Sequence, residues 1–108
     1  MKIYLSGKIT GFDGYRQYFA MYEHALKRAR HTVINPAKAG YVIGGAARYE
    51  DFMHVDFALI DIADAVLALP TWRQSKGARR EIAYAKEKGK RIFYSHAGFH
   101  ELTKKSMK

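Results

Sequence analysis

Two carboxylates and two loops carry the chemical potential of this sequence. Asp56 falls four residues after Phe52 and four before Ile60, inside the apolar stripe of a helix. Aspartate is rarely buried without a partner. On that face, beside a cleft, it is a candidate acid/base group or sugar ligand; a salt bridge or a cap to a neighbouring loop is the plainer alternative. Glu81 closes the run S-K-G-A-R-R-E, Ser75–Glu81, in which Gly77 ends a loop. Ala78, Ile82 and Ala85 mark the buried face of the following helix, and Glu81 borders it. The pattern places Glu81 in the first helical turn, where the helix dipole would keep it ionised near neutral pH. An ordinary first-turn glutamate reads the same way.

The first loop is SGKITG, Ser6–Gly11. Its glycines, Gly7 and Gly11, let backbone N–H groups approach a phosphate, and Lys8 and Thr10 add a charge and a hydroxyl. It has neither the Walker A spacing nor Gly-x-Gly-x-x-Gly, so a tight turn that needs glycine is an equal alternative. In the second loop Trp72, beside Arg73, could stack on a base or sugar, or simply cover the sheet edge. Tyr4 alternates with Ile3 and Leu5, which predicts a core position with its hydroxyl reaching the cleft. His96 and His100 are four apart, but Gly98 lies between them, and the five histidines show no metal spacing.

The elements that must position these residues alternate. A short β-branched and aromatic strand, Lys2–Gly7, precedes a helix from about Gly14 to Arg30, with Tyr15, Phe19, Tyr22, Leu26 and Ala29 at helical spacing. A second strand, Thr32–Asn35, stops at Pro36, and a glycine-bearing loop covers 37–47. A second helix spans about Tyr49–Ile62. The apolar run Asp64–Pro70 reads as a strand covered on both faces. A third helix spans Ala78–Lys88 with Gly89 as its C-terminal cap, and a fourth strand Arg91–Ser95 leads to a short helix and a basic tail over about 103–108. This order predicts an α/β fold: a doubly wound, flavodoxin- or Rossmann-like parallel sheet of four to five strands, order 2-1-3-4, with helices on both faces. Ligands bind such sheets where the strand order reverses. The loops leaving strands 1 and 3 are the two singled out above.

With 108 residues the chain is expected to form a single domain over 1–108. It has no cysteine, which excludes a disulfide scaffold, a thiolate metal site and a cysteine nucleophile. No apolar run approaches a membrane span, and the N-terminus does not read as a signal peptide, so a cytoplasmic protein is expected. The net charge is +9, and residues 71–91 hold eight Lys and Arg against two Glu. Such a patch favours an anionic partner. Lys86, Lys88 and Lys90 read as a solvated helix face.

Together, IYLSGKITG, VINPA, DFALIDIADAV and LPTWRQSKGARREIAYAKEKGK resemble the nucleoside 2-deoxyribosyltransferase superfamily, over Lys2 to about Phe93. The branch they look most like is one of small phage and bacterial proteins labelled as a domain of unknown function, similar to nucleoside 5′-monophosphate N-glycosidases. The resemblance implies that Glu81, four residues after Gly77, is the nucleophile. A family aspartate eight residues before the one that opens strand 3 falls on Asp56, counting back from Asp64. The strand 1 tyrosine falls on Tyr4. Six residues before the nucleophile, the transferases carry an acidic residue at the sugar 5′-hydroxyl, and the nucleotide hydrolases carry a serine at a 5′-phosphate. This chain has Ser75 there. The hydrolases also place a serine and an arginine where Lys8 and Thr10 fall, so the chain departs from them by lacking that arginine; Lys8 or Arg73 would compensate. It departs also in its short C-terminus, a region that in relatives helps complete the site, often from a neighbouring subunit.

The implied activity is an N-glycosidase acting on a (deoxy)nucleoside 5′-monophosphate, with Glu81 as nucleophile, Asp56 as acid/base group and Tyr4 orienting Glu81. Ser6, Gly7, Lys8, Thr10, Gly11, Ser75 and Gly77 would hold the phosphate, and Trp72, Arg73 and loop 37–47 would cover the base. No metal or organic cofactor is required. A homo-oligomer, a dimer by default, is expected. The alternatives are a nucleoside deoxyribosyltransferase, a catalytically silent nucleotide-binding module, and a nucleic-acid binder; the last is disfavoured because the basic patch has few interleaved aromatics.

Overall fold

The computed structural model describes residues 1–38 and 46–104. Four strands form one parallel sheet among them: β1 Lys2–Ser6, β2 Thr32–Ile34, β3 Ala65–Ala68 and β4 Arg91–Tyr94. The strand order is β2-β1-β3-β4, as the alternating pattern predicts. Four α-helices pack on the sheet: α1 Tyr15–Arg28, α2 Tyr49–Ile62, α3 Lys76–Glu87 and α4 Ser95–Thr103. Short 3-10 turns at Pro36–Lys38 and Trp72–Gln74 lead out of β2 and β3.

Strand periodicity sorts the core into two layers. Ile3 and Leu5 of β1 face Phe19, Tyr22 and Leu26 of α1 and Leu102 of α4. Tyr4, between them, faces Ile60 of α2 and Ile82 and Ala85 of α3. Ser6 lies two residues beyond Tyr4 and so presents its hydroxyl to the α2–α3 side as well, where it reaches α3. β3 is wholly buried along its length, as a strand with helices over both faces must be.

Several ends differ from the periodicity reading. All four strands are shorter, the third by three residues. The third helix begins at Lys76 rather than Ala78 because the Ser75 hydroxyl accepts the Ala78 N–H at 3.0 Å and caps it two residues earlier. The helix after β4 runs unbroken through Gly98. A Cβ there would lie 2.6 Å from the Phe93 carbonyl carbon, so glycine is what lets α4 lie on β4. Gly89 follows α3 with φ +75°, the left-handed conformation expected of it. Residues 39–45 of the expected 37–47 loop, and 105–108 of the expected tail, lie outside the described residues.

Candidate active site

The order of the sheet reverses between β1 and β3, and the chain is knitted together there. The Leu69 N–H donates to the Ser6 carbonyl at 2.8 Å, and the Lys8 N–H donates to Thr71 Oγ1 at 3.0 Å. A Cβ on Gly7 would lie 3.1 Å from Leu69 Cβ and from Thr71 Oγ1. The glycine therefore allows the two loops to touch. Above this junction opens a cleft of about 1030 Å³, lined by the first loop, the starts of α1, α2 and α3, and the turn after β2. Its size suits a small molecule of nucleotide dimensions.

At the cleft floor stand two carboxylates from different helices. Asp56 of α2 and Glu81 of α3 are each only 6% exposed, and both line the cleft. Glu81 accepts a hydrogen bond from Ser6 Oγ, 2.8 Å from its Oε1. Tyr4, fully buried, lies close enough to both carboxylates for their charges to act on it. Yet its hydroxyl and Asp56 Oδ1 are buried polar atoms that make no well-formed hydrogen bond. Such atoms are rare in a settled interior and mark a place where a ligand or water belongs.

Burial governs the electrostatics. It pushes the Glu81 carboxyl well above its usual range, and the nearby Asp56 charge pushes it further; the Ser6 and Tyr4 hydroxyls oppose this. Burial also raises Asp56, against the pull of its Glu81 and Tyr4 neighbours. The Tyr4 phenol is raised by burial first, then by the charges of Glu81 and Asp56. Two like charges this close in a dry site resist ionising together, so the pair shares a proton and titrates as a unit.

This corrects the expectation for Glu81. With α3 starting at Lys76, Glu81 sits in the second turn, beyond the stabilising reach of the helix N-terminus. Desolvation then dominates and its carboxyl is raised rather than held ionised. Ser6 is a second correction. It is wholly buried and its hydroxyl goes to Glu81, so it does not face a phosphate.

The rim is cationic. Lys8, Thr10, Ser75 and Gly77 line the cleft together, as the sequence suggests. Ser75 Oγ accepts from Ala78 N–H and keeps its own proton to donate. Gly11 is not among the lining residues; it serves a turn, with φ +76°. Trp72 and Arg73 also lie outside the lining. Trp72 packs against Tyr94 with ring centroids 5.6 Å apart, and the Arg73 guanidinium sits 5.0 Å from the indole. The sequence reading missed Arg16, Tyr49, Met53 and Gln74, all of which line the cleft. Arg16 and Tyr49 stand in the first turns of α1 and α2, and helix starts on the carboxyl side of a parallel sheet point at its ligand site. That rule would have found them. Among the described residues no group of three or more His, Cys, Asp or Glu side chains is placed to hold a metal ion.

A family model described as a domain of unknown function, DUF4406, matches residues 1–94. The chain belongs to the DUF4406 family. No curated protein matches the DUF4406 chain. Among solved structures it is similar to a 2-deoxyribosyltransferase from the psychrotolerant bacterium Bacillus psychrosaccharolyticus. The two share 19% identity over 87% of this chain and 71% of that one, with a TM-score of 0.70. It is also similar to a 2-desoxiribosyltransferase from Leishmania mexicana, at 18% identity over 86% of this chain and a TM-score of 0.66. This chain spans 62% of the length of the Leishmania protein. At such identities the likeness is one of fold: the DUF4406 chain shares the parallel α/β architecture of these transferases. No helix among the described residues is long and apolar enough to cross a membrane.

Proposed function

We propose that the protein cleaves the base–sugar bond of a nucleoside 5′-monophosphate, with Glu81 as nucleophile and Asp56 as acid and then base. The observation that carries this reading is the pair of buried carboxyls from α2 and α3 at the floor of a nucleotide-sized cleft. Two carboxyls sharing one proton supply what retaining glycosyl transfer needs, one group charged and one protonated.

In the first step a Glu81 carboxylate oxygen bonds to C1′ of the sugar. The C1′–N bond breaks, its electron pair leaves with the base, and Asp56 delivers its proton to that base. In the second step Asp56, now a carboxylate, takes a proton from water as the water oxygen bonds to C1′. The ester bond to Glu81 breaks and returns the carboxylate. The Tyr4 hydroxyl, buried and without a well-formed hydrogen bond, is placed to donate to whichever carboxyl bears the charge.

The preference for a monophosphate rests on charge. Lys8, Arg16 and Lys76 line the same cleft as Thr10 and the Ser75 hydroxyl at the start of α3. A phosphate there meets cations, hydroxyl donors and a helix N-terminus. Arg16 supplies from α1 the guanidinium that the strand 1 loop lacks. Ile9, Phe52 and Met53 give the base an apolar wall.

The test is an assay of free base. The protein is incubated with each common ribo- and deoxyribonucleoside 5′-monophosphate and each matching nucleoside, beside a Glu81→Ala control. Base released from monophosphates, and lost by at least about a thousandfold in the control, is expected. Release only from nucleosides in the presence of an acceptor base would make the protein a transferase. No release from any of them would leave a silent nucleotide-binding module.

A further inference from the structure

We infer that Ser6 is a positioning residue for the nucleophile, holding Glu81 Oε1, favouring its charged form and leaving Oε2 as the attacking atom. The inference rests on the glycosidic reading above and adds to it a residue that touches no substrate.

Ser6 is fully buried and lies outside the cleft lining, so its hydroxyl reaches only protein. A serine has one proton to give. It lies 2.8 Å from Glu81 Oε1 and 3.4 Å from the Ala78 carbonyl, so the carboxylate takes it. The donor is fixed by the sheet. Ser6 ends β1 in register with Ala68, and its own carbonyl accepts the Leu69 N–H. Glu81 Oε1 is therefore pinned from beneath, and Oε2 would be the oxygen that attacks from the cleft that Glu81 lines.

The same bond breaks the symmetry of the pair. The titratable groups that face Glu81 are Asp56 from α2 and Tyr4 from β1, while Lys8, Arg16 and Lys76 stand in the cleft lining. Ser6 Oγ gives Glu81 a hydrogen bond of 2.8 Å, while Asp56 Oδ1 is buried without a well-formed one. A donor favours the charged form of the group it serves. Ser6 therefore works against the burial and the Asp56 charge that raise Glu81, and so favours the ionised nucleophile that attack on C1′ requires. Ser6 thus does for the nucleophile what an orienting group does for a catalytic base.

The experiment compares wild type, Ser6→Ala and Ser6→Cys. Carbon-13 carboxyl NMR follows the titration of Glu81, and the pH profile of kcat/KM for base release follows its use. In Ser6→Ala the Glu81 titration is expected to move up by about one pH unit, a tenfold change in its ionisation constant. The acid limb of the rate profile moves with it, while KM for the monophosphate stays within about twofold because Ser6 touches no ligand. Ser6→Cys keeps the volume and a weaker donor, falls between the two, and carries the test if alanine loosens the fold. An unmoved Glu81 titration, or a rate lowered evenly at every pH, overturns the inference. Should wild type release no base from any nucleotide, the functional reading fails, and the NMR titration still decides whether Ser6 holds Glu81.

Discussion

Glu81 and Asp56 are held in a protonation state that costs stability and supplies chemistry. An acid whose carboxyl is raised on folding binds its proton more tightly in the folded chain than in the unfolded one. Folding is then favoured below the usual carboxylate range and penalised as pH rises above it. Replacing Glu81 by Gln keeps the shape and removes the charge. Glu81→Gln is expected to abolish base release yet raise the melting temperature at pH 7 by about 4 °C or more. The gain should shrink to nothing as pH falls below about 4, where both side chains are neutral. Thermal unfolding of both proteins across that range checks the sign. Asp56→Asn keeps the burial and loses the transferable proton. It is expected to lower kcat by at least about a hundredfold with little change in KM, read by steady-state base release.

Asp56 was legible in the sequence because an aspartate in an apolar stripe needs a reason, and burial on α2 supplies its place. The state of Glu81 was not legible. It depended on where α3 begins, and the Ser75 cap moves that start by two residues. The role of Ser6 was hidden for another reason. A hydroxyl beside a glycine suits a phosphate loop, and only the strand's alternation turns it inward.

At the scale of elements, one contact holds a wall of the cleft and another seats the last helix on the sheet. Glu23 of α1 is almost fully buried, and it joins Lys27, Asn35 and Lys38. Burial opposes its ionisation, but the hydrogen bonds from Asn35, Lys27 and Lys38 prevail and hold its carboxyl at about 2. These bonds tie α1 to the Pro36–Lys38 turn, whose Pro36 and Ala37 line the cleft. Glu23→Gln is expected to cost on the order of 2 kcal/mol. A lowered carboxyl contributes its stability above the usual carboxylate value and loses it as pH falls towards 2. The gap between the two proteins in urea unfolding should therefore close from about pH 4.5 downwards. On the same face of the sheet, Gly98→Ala would press a methyl against the Phe93 backbone. It is expected to cost about 1–3 kcal/mol and lower the melting temperature accordingly. Helix and strand existence was readable from periodicity, and the order was that expected of a doubly wound sheet. The path of α4 through Gly98 was not, because a glycine inside a helix reads as a break until its packing partner is known.

For the molecule as a whole, the basic run 71–91 matters less as a surface than its charge suggests. Arg80 pairs with Glu50, and Arg91 with Glu101. Arg79 donates to the Arg73 carbonyl, and Lys90 donates to the carbonyls of Asp61 and Ala63 at the end of α2. The Lys90 contacts replace the expectation of a solvated lysine. Lys76 belongs to the cleft. Charge is thus spent on joining elements and on one small site, not on a continuous face for a polyanion. A nucleoside monophosphate should stabilise Glu81→Ala in thermal unfolding, by about 2.7 kcal/mol at a hundred times its Kd. Long duplex DNA should show no steep salt-dependent binding.

The central claim is that Glu81 bonds covalently to C1′, and its most direct test is to weigh the intermediate. A 2-fluoro nucleoside 5′-monophosphate slows an oxocarbenium-like breakdown step and lets the adduct persist. Peptide mapping by mass spectrometry after acid quench should find one sugar phosphate on the peptide that contains Glu81, and none in Glu81→Ala. Base release with no adduct, or with the sugar on Asp56, would contradict the account.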